Sequence, residues 1–489
     1  MINLKNDREL FVDDYIIDTD KTTAEKRLHH PVRRQVVLHH DAPWEGNGTD
    51  YHNFFYDNGV WRMYYLGWWY GYGKSCGIQL CYAESRDGIV WEKPSLGICE
   101  FEGSKDNNIL LDKKMLGRSL DNFMVFRDDN PACPSDKKYK AVSSMKVPKN
   151  TCLNDEGEKE DVRALGYYVS PDGLHWEFGG IITTQGAFDS LNVAFYDTRA
   201  KKYRLYYRAA HSIGDTEIIS RFNENHIRDI RYIESEDFEN WTEPKLLDFG
   251  EGEDLPLYTN VVQNYYRAPH ILVGFPSRYI YRRSWNKSFD ELCGREARLE
   301  RMKDNQRYGL TITDCVFMAS RNGLQFTRPD EAFIRPEPEE PYGWVYGTAY
   351  PARGMIETPS DMEGADPELS LYVYENHWSE KPADFVRYTI RIDGFISMHA
   401  GGCEKTLVTK PFTFEGSELF INFATSARGY IYIELKTEDG ELFKSCETFG
   451  NSINRRVHFD KNIASLAGKK IVMTARMFDA DFYSFCFEE

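Results

Sequence analysis

The chain repeats one short turn phrase. "SRDGIVW" at 85–91 returns as "SPDGLHW" at 170–176, "SEDFENW" at 235–241 and "SRNGLQF" at 320–326; the leading serines are 85, 65 and 85 residues apart, and "RIDGF" at 391–395 is a degenerate fifth copy. A repeat of this length dictates architecture more firmly than any local propensity. Each phrase follows a β-rich run, "IQLCYAES", "LGYYVS", "IRYIES" or "CVFMAS". Two of them lead into short runs that end at proline, "IVWEKP" and "ENWTEP". That context is a hairpin, in which Asp or Asn accepts turn amides, Gly takes a positive φ and the closing aromatic fills the layer between sheets. The phrases serve structure rather than catalysis.

Ahead of each phrase runs an aromatic alternation: "DYHNFFYDNGVWRMYYLG" from 50, "DNFMVFRDD" with "KKYKAVSS" from 121, "DSLNVAFYDTRAKKYRLYYR" from 189 and "TNVVQNYYRAPHILVGFP" from 259. Two strands there and two around the phrase make four antiparallel strands, the content of a propeller blade. "GWVYGTAYPARG" from 343, "LSLYVYENHW" from 369 and "VRYTIRIDGFISM" supply a fifth unit. Residues 1–40 are expected to complete or brace the ring, since an open blade leaves an unpaired edge. Polar helix formers at 282–309 read as a helical insertion in the fourth unit. Beyond 402 the texture turns to regular alternation, as in "KTLVTKPFTF" and "GYIYIELKTEDGELF". The expected fold class is all-β: a five-bladed β-propeller over 1–402, then a β-sandwich over 403–489.

Composition narrows the partners. Lys and Arg total 60 against 77 Asp and Glu, a net charge of −17, which repels nucleic acid and anionic membrane surfaces. No run of about 18 apolar residues exists, and "MINLKNDREL" lacks a signal peptide's apolar core. Ten scattered cysteines without a CxxC spacing read as reduced thiols. The expectation is a cytoplasmic protein with no nucleic-acid or membrane partner, a secreted chain with its leader removed being the alternative. The histidine pairs at 29–30 and 39–40 point to opposite sides of a strand. No cofactor or catalytic metal is therefore expected; a structural calcium in the shaft stays open, as does the oligomeric state.

The phrases, the aspartates that open the units and the trailing sandwich together resemble the five-bladed propeller glycoside hydrolases of families 32, 43, 68 and 130. The resemblance is strongest to uncharacterised family-32-like proteins. It is carried over nearly the whole chain by "LFVDDYII", "FDSLNVAFYD", "LYTN", "RAPHILVGFPSR", "FMASRNGLQF", "IRPEP" and "RYTIRIDGF". It implies glycoside cleavage, with a base or nucleophile, a helper and an acid at the starts of three successive blades, here Asp50, Asp121 and Asp189. Two departures matter. The Asn-Asp-Pro run of family 32 is replaced by "GTDYHNF", which argues against ordinary fructan or sucrose cleavage, and the third position is usually glutamate where this chain has Asp189.

The residues themselves support such chemistry. Glycosidic acid/base catalysis needs one ionised and one protonated carboxyl, about 5 Å apart for retention and ~6.5–9.5 Å for inversion. Inner strands of a ring bring strand-opening groups to one hollow. Asp50, Asp121 and Asp189 open three of them, against the plainer reading of aspartates that bond their own backbone. Glu375 in "VYENHW" is a fourth catalytic candidate and Asp314 in "ITDCVF" a reserve acid at the pocket. Substrate contacts are expected from Trp68 in "LGWWYGYG", from Asn122 and Asn192 beside the aspartates, and from Tyr258 and Asn260, which open the fourth unit. His270 and Arg278, with Arg267 and Arg208, make a basic cluster that would orient the aspartates or seat an anion. The function read from this is a glycoside hydrolase acting on a furanoside or other small glycan. The alternatives are a phosphorylase with phosphate at the Arg/His cluster, and a carbohydrate-binding propeller without catalysis.

Overall fold

The computed structural model describes residues 2–116, 120–147 and 162–489. Among the described residues the chain is all-β, with three short α-helices in one insertion and a single α-helical turn at Lys113–Leu116. Sheet one runs Asp50–Asp57, Val60–Gly67, Gln79–Ser85 and Trp91–Glu92, and Ile109–Asp112 also pairs with Gln79–Ser85. Its first hairpin turns at Asn58 and Gly59, both at positive φ, the conformation that matches the twist of the flanking strands. Sheet two is Met124–Arg127, Tyr139–Val147, Val162–Ser170 and Glu177–Thr183; sheet three is Val193–Asp197, Lys202–His211, Ile227–Ser235 and Lys245–Leu246. All these neighbours are antiparallel.

The fourth region is split into two ladders: Gln263–Tyr265, Ala268–Gly274 and Met318–Ser320, then Ser277–Tyr281, Thr311–Val316 and Ala332–Ile334. The break falls at Phe275-Pro276, where proline has no N–H to give a ladder, although its carbonyl still accepts from Val316 N. Three helices, Lys287–Glu291, Arg295–Asp304 and Gln306–Leu310, are inserted between two strands of the second ladder. Sheet five takes Tyr350–Pro351, Ile356–Thr358, Glu368–Glu375 and Asp384–Arg391, and is completed from the N-terminus by Val32–His39, with Leu38 opposite Phe385.

The repeated phrases fold alike. In the first, Ser85 Oγ accepts from Gly88 N and Asp87 Oδ1 from Ile89 N and Val90 N, while Trp91 Nε1 donates to Gly88 O. The same serine and Asp/Asn bonds recur at 170–175, 235–240 and 320–325. Each phrase docks on the preceding sheet. Tyr372 of sheet five donates to Gly88 O at 2.6 Å, and a side chain at Gly173 would strike Tyr64 of sheet one. Phe238 packs on Phe126 and Tyr167 of sheet two, Tyr206 of sheet three donates to Gly323 O, and Tyr265 donates to Asp393.

Hydrogen bonds near the inner strands follow the same rotation. Val125 N donates to Asn53 Oδ1, Asn122 Nδ2 to Phe188 O, Ser190 Oγ to Tyr258 O, Ser277 Oγ to Ala349 O, and Phe54 N of sheet one to Arg353 O beside sheet five. One hollow of about 470 Å³ is lined from all five regions, by Phe55, Phe126, Phe195, Asn264 and Met355.

The remaining strands form one ten-stranded sheet wrapped around its own core. Two long strands, Glu418–Thr437 and Ile471–Glu488, run through it, and Phe414 stacks on Phe487 with ring centres 3.6 Å apart. Residues 1–40 divide their pairing: Ile2–Asn3, Glu9–Leu10 and Glu25–Leu28 join this sheet, and only Val32–His39 joins sheet five.

Candidate active site

The site begins with backbone strain. Tyr51, Asn122, Phe188, Val261 and Ala349 all have φ between 47° and 57°, a region that side chains with a Cβ rarely occupy. Each is the immediate neighbour of Asp50, Asp121, Asp189, Asn260 or Tyr350, residues that stand at, or three to four positions ahead of, the first strand of a sheet region. Such strain persists only where surrounding structure fixes it, and it concentrates at functional sites. Here it re-aims each first side chain as the strand begins.

The three aspartates are electrostatic neighbours in chain order, and their surroundings are graded. Asp50 is buried, with a 3.4 Å contact from Trp68 Nε1. Burial, and then the charge of Asp121, hold its carboxyl well above the usual range. Asp121 is partly exposed, and burial together with Asp189 pushes it up to about 7. Asp189 is half exposed, 3.6 Å from Arg163, and lines a cavity of about 470 Å³. Asp50 and Asp121 are thus both held above the ordinary carboxylate range, Asp50 by burial beside Asp121 and Asp121 by burial beside the half-exposed Asp189.

Aromatic groups close the other side. Tyr258, Tyr346, Tyr350, Tyr374 and Trp378 make one buried cluster, in which Tyr346 donates to the Tyr258 hydroxyl at 2.7 Å. The phenols of Tyr350 and Tyr374 are buried without a hydrogen-bond partner among the described residues, and burial followed by the charge of Asp50 drives the Tyr374 phenol upward. Trp68 joins this cluster edge-on to Trp378. It lies flush on Gly48, where an added Cβ would come within 2.5 Å of the indole, so the glycine seats the ring beside Asp50. The helical insertion anchors here as well: Arg301 donates to Tyr346 O and His377 O, and Tyr70 to Asp304.

Other sequence candidates have different occupations. Asn122, Asn192 and Asn260 are buried and donate to the backbone carbonyls of Phe188, of Phe188 and Ser190, and of Leu191 and Tyr206; they hold the strand openings in place. Tyr258 lines the Asp189 cavity. Glu375 instead pairs with both ends of the Arg33 guanidinium, at 2.8 and 2.7 Å, and lines a separate cavity with Glu337 and Glu340. Asp314 and Arg278 pair with each other at 2.9 and 2.6 Å across two strands. His270 meets Glu9 at 3.3 Å beside the C-terminal sheet, and Arg267 meets Asp393 at 3.2 Å. The expected Arg267, His270 and Arg278 cluster is therefore dispersed, each member lying against a different acid.

The basic groups that line the cavity with Asp189 are Arg163, Arg208, Arg221, Arg228 and Arg307. Only Arg208 stood out in the sequence. A signal for Arg228 existed in "HIRDIRYIES", a strand whose alternating charges leave no purely polar face, and Arg228, Asp229 and Arg231 are all buried. Among the described residues no group of three His, Cys, Asp or Glu is arranged to hold a metal, and no helix is long and apolar enough to cross a membrane.

The chain matches no protein-family model and no curated protein. Solved structures similar to it include an N-acetylgalactosamine deacetylase from F. plautii in complex with blood group B trisaccharide, at 10% identity and a TM-score of 0.44 over 74% of this chain and 94% of that one. Another is the Bombyx mori family 32 β-fructofuranosidase, at 11% identity and a TM-score of 0.40 over 95% and 94% of the two chains. A third belongs to the family 130 mannoside phosphorylases and hydrolases that target β-1,2-mannosidic linkages in Candida mannan, at 14% identity and 0.39 over 73% and 94%.

Proposed function

We propose that the protein is a glycosidase, with the five sheet regions as blades of one propeller over residues 1–402 and the C-terminal sheet as a supporting module over 403–489. The supporting observation is the graded carboxyl series at three successive strand openings, edged by aromatic rings and an open cavity. Asp121, titrating near neutrality, exchanges the proton with the glycosidic oxygen, since an acid/base group works best with a pKa near the operating pH. Asp189 is the open carboxylate that attacks, or activates water, at the anomeric carbon. Asp50, buried and held above the ordinary carboxylate range by burial and then by Asp121, is the helper beside Asp121. Trp68 and Tyr258 offer faces to a sugar ring. The substrate is a furanoside or other small glycan, and no cofactor takes part.

Asp189→Asn tests this reading. Turnover of a suitable glycoside should fall by about 10³-fold while the circular dichroism spectrum and melting temperature stay near those of the parent. Full activity in that variant would reject the assignment. Binding of glycans by calorimetry with no product released by the parent protein would favour a non-catalytic carbohydrate receptor instead. Phosphorolysis at Arg267, His270 and Arg278 has no comparable support, because each of these is paired with its own acid.

A further inference from the structure

The cavity at Asp189 is cationic in a chain of net charge −17. Arg208 and Arg228 project from neighbouring strands of sheet three and are each at least 95% buried. The Arg208 guanidinium lies 4.1 Å above the ring of Tyr258, and that of Arg228 lies 3.9 Å above Tyr279. Phe222 stands between them, 5.2 and 5.1 Å from the two. Arg307, delivered by the helical insertion, reaches the same cavity and donates to the hydroxyl of Tyr279 at 3.2 Å.

None of these three guanidinium groups has a carboxylate within ion-pair distance among the described residues, and the Nε atoms of Arg208 and Arg228 have no hydrogen-bond partner there. Burying cations is expensive, and the five arginines that line the cavity outnumber its two acids, Asp189 and Glu224, so an anionic ligand would offset the surplus. Burial and the neighbouring charge of Arg208 hold Arg228 below its ordinary pKa, whereas Arg208, despite its burial, is held above its own by Tyr258 and Asp189.

We infer that Arg208, Arg228 and Arg307 form a subsite for a carboxylate on the sugar, making the ligand an acidic rather than a neutral glycan. Arg208 Nη1 already donates to the backbone carbonyl of Asp189 at 2.7 Å, so the charged substituent would sit one residue from the carboxylate assigned above to catalysis. Stacked guanidinium planes suit the planar, two-oxygen geometry of a carboxylate. A cavity of about 470 Å³ has room for a sugar around that group, far more than a lone inorganic anion fills. The location relative to the reacting bond rests on the glycosidase reading; the binding does not.

The test is calorimetric titration of the full chain, as parent and as Asp189→Asn, with glucuronate, galacturonate and N-acetylneuraminate, with neutral glucose and galactose, and with inorganic phosphate. At least one acidic sugar should bind about tenfold more tightly than the neutral sugars, with affinity falling as salt rises, and Arg228→Met should remove that preference while Arg228→Lys restores part of it. Equal affinity for acidic and neutral sugars would overturn the proposal, and this comparison needs no variant. Phosphate binding that Arg228→Met abolishes, with no preference for acidic sugars, would also overturn it and assign the subsite to a free anion. Acidic-sugar binding without turnover of any glycoside would leave the subsite standing and remove only the glycosidase reading.

Discussion

Asp121 carries the most exacting residue-scale consequence. Its folded value of about 7 lies above the ordinary 3.8, so the folded state binds this proton more tightly than the unfolded state does. The contribution to stability is full below about pH 4, declines as pH rises towards 7 and is a penalty above that. Asp121→Asn removes the penalty. Its melting temperature should exceed the parent's by a few degrees at pH 8 and match it near pH 4, while the activity profile loses its inflection near 7. Identical melting curves at both pH values would contradict the burial of this carboxyl. Gly48→Ala acts on geometry instead: the new Cβ would meet Trp68 at 2.5 Å, shift the indole off Asp50, and raise KM more than it lowers stability. Sequence alone exposes the aspartates, because the same residue type recurs at equivalent strand openings. It hides the arginines, because a charged residue within a strand carries no mark of whether it faces water or a cavity. For His270 and Arg278, closeness along the chain implied a cluster, but Arg278 pairs with the cross-strand Asp314 and His270 meets Glu9 of the C-terminal sheet.

At the scale of the element, the turn phrases make a sharper test than any one strand. Position four of the phrase is Gly88, Gly173 or Gly323 at φ 75°, 79° or 84°, yet in the third copy it is Phe238 at 69°. Phe238→Gly would relieve about 1–2 kcal/mol of left-handed strain. It would also delete a ring in contact with Phe126, Tyr167, Tyr203 and Trp241, worth about 3–5 kcal/mol. The net expectation is a loss of about 2–3 kcal/mol in chemical denaturation; a gain would mean that the turn, not the ring, governs this position. Gly323→Ala should destabilise too, since its Cβ would fall 1.8 Å from Arg204 Nη1, a group already bonded to Asn322 O. These turns were legible because serine, Asp/Asn and Gly act over three or four residues. The break of the fourth region at Phe275-Pro276 is written in the proline itself. The allocation of residues 2–28 to the C-terminal sheet has no local signature, because strand partners so far away in sequence are chosen by packing alone.

For the whole molecule, five sheet regions linked in rotation make every interface depend on two neighbours. The bond from Phe54 to Arg353 and the contact of Tyr372 with Gly88 are the links that join the first region to the last. Deleting residues 1–39 would strip sheet five of its outer strand and the C-terminal sheet of three short ones. Such a chain should run as aggregates in size-exclusion chromatography, because an uncovered edge recruits other chains. A monodisperse, cooperatively melting product would show instead that the first forty residues are dispensable. Of residues 1–40, expected to complete or brace a ring, Val32–His39 pairs with sheet five, whereas Ile2–Asn3, Glu9–Leu10 and Glu25–Leu28 pair within the C-terminal sheet.

His39 finds its partner Asp384 at a separation of 345 positions. During synthesis, then, the outer strand of the last sheet leaves the ribosome long before the strand it pairs with and must wait, unpaired, while the chain between them is made. Newly made chains carry that exposed ribbon through most of translation, so the demand on chaperones should track the speed of elongation downstream, and slow codons after residue 300 should lower soluble yield more than the same codons placed before it.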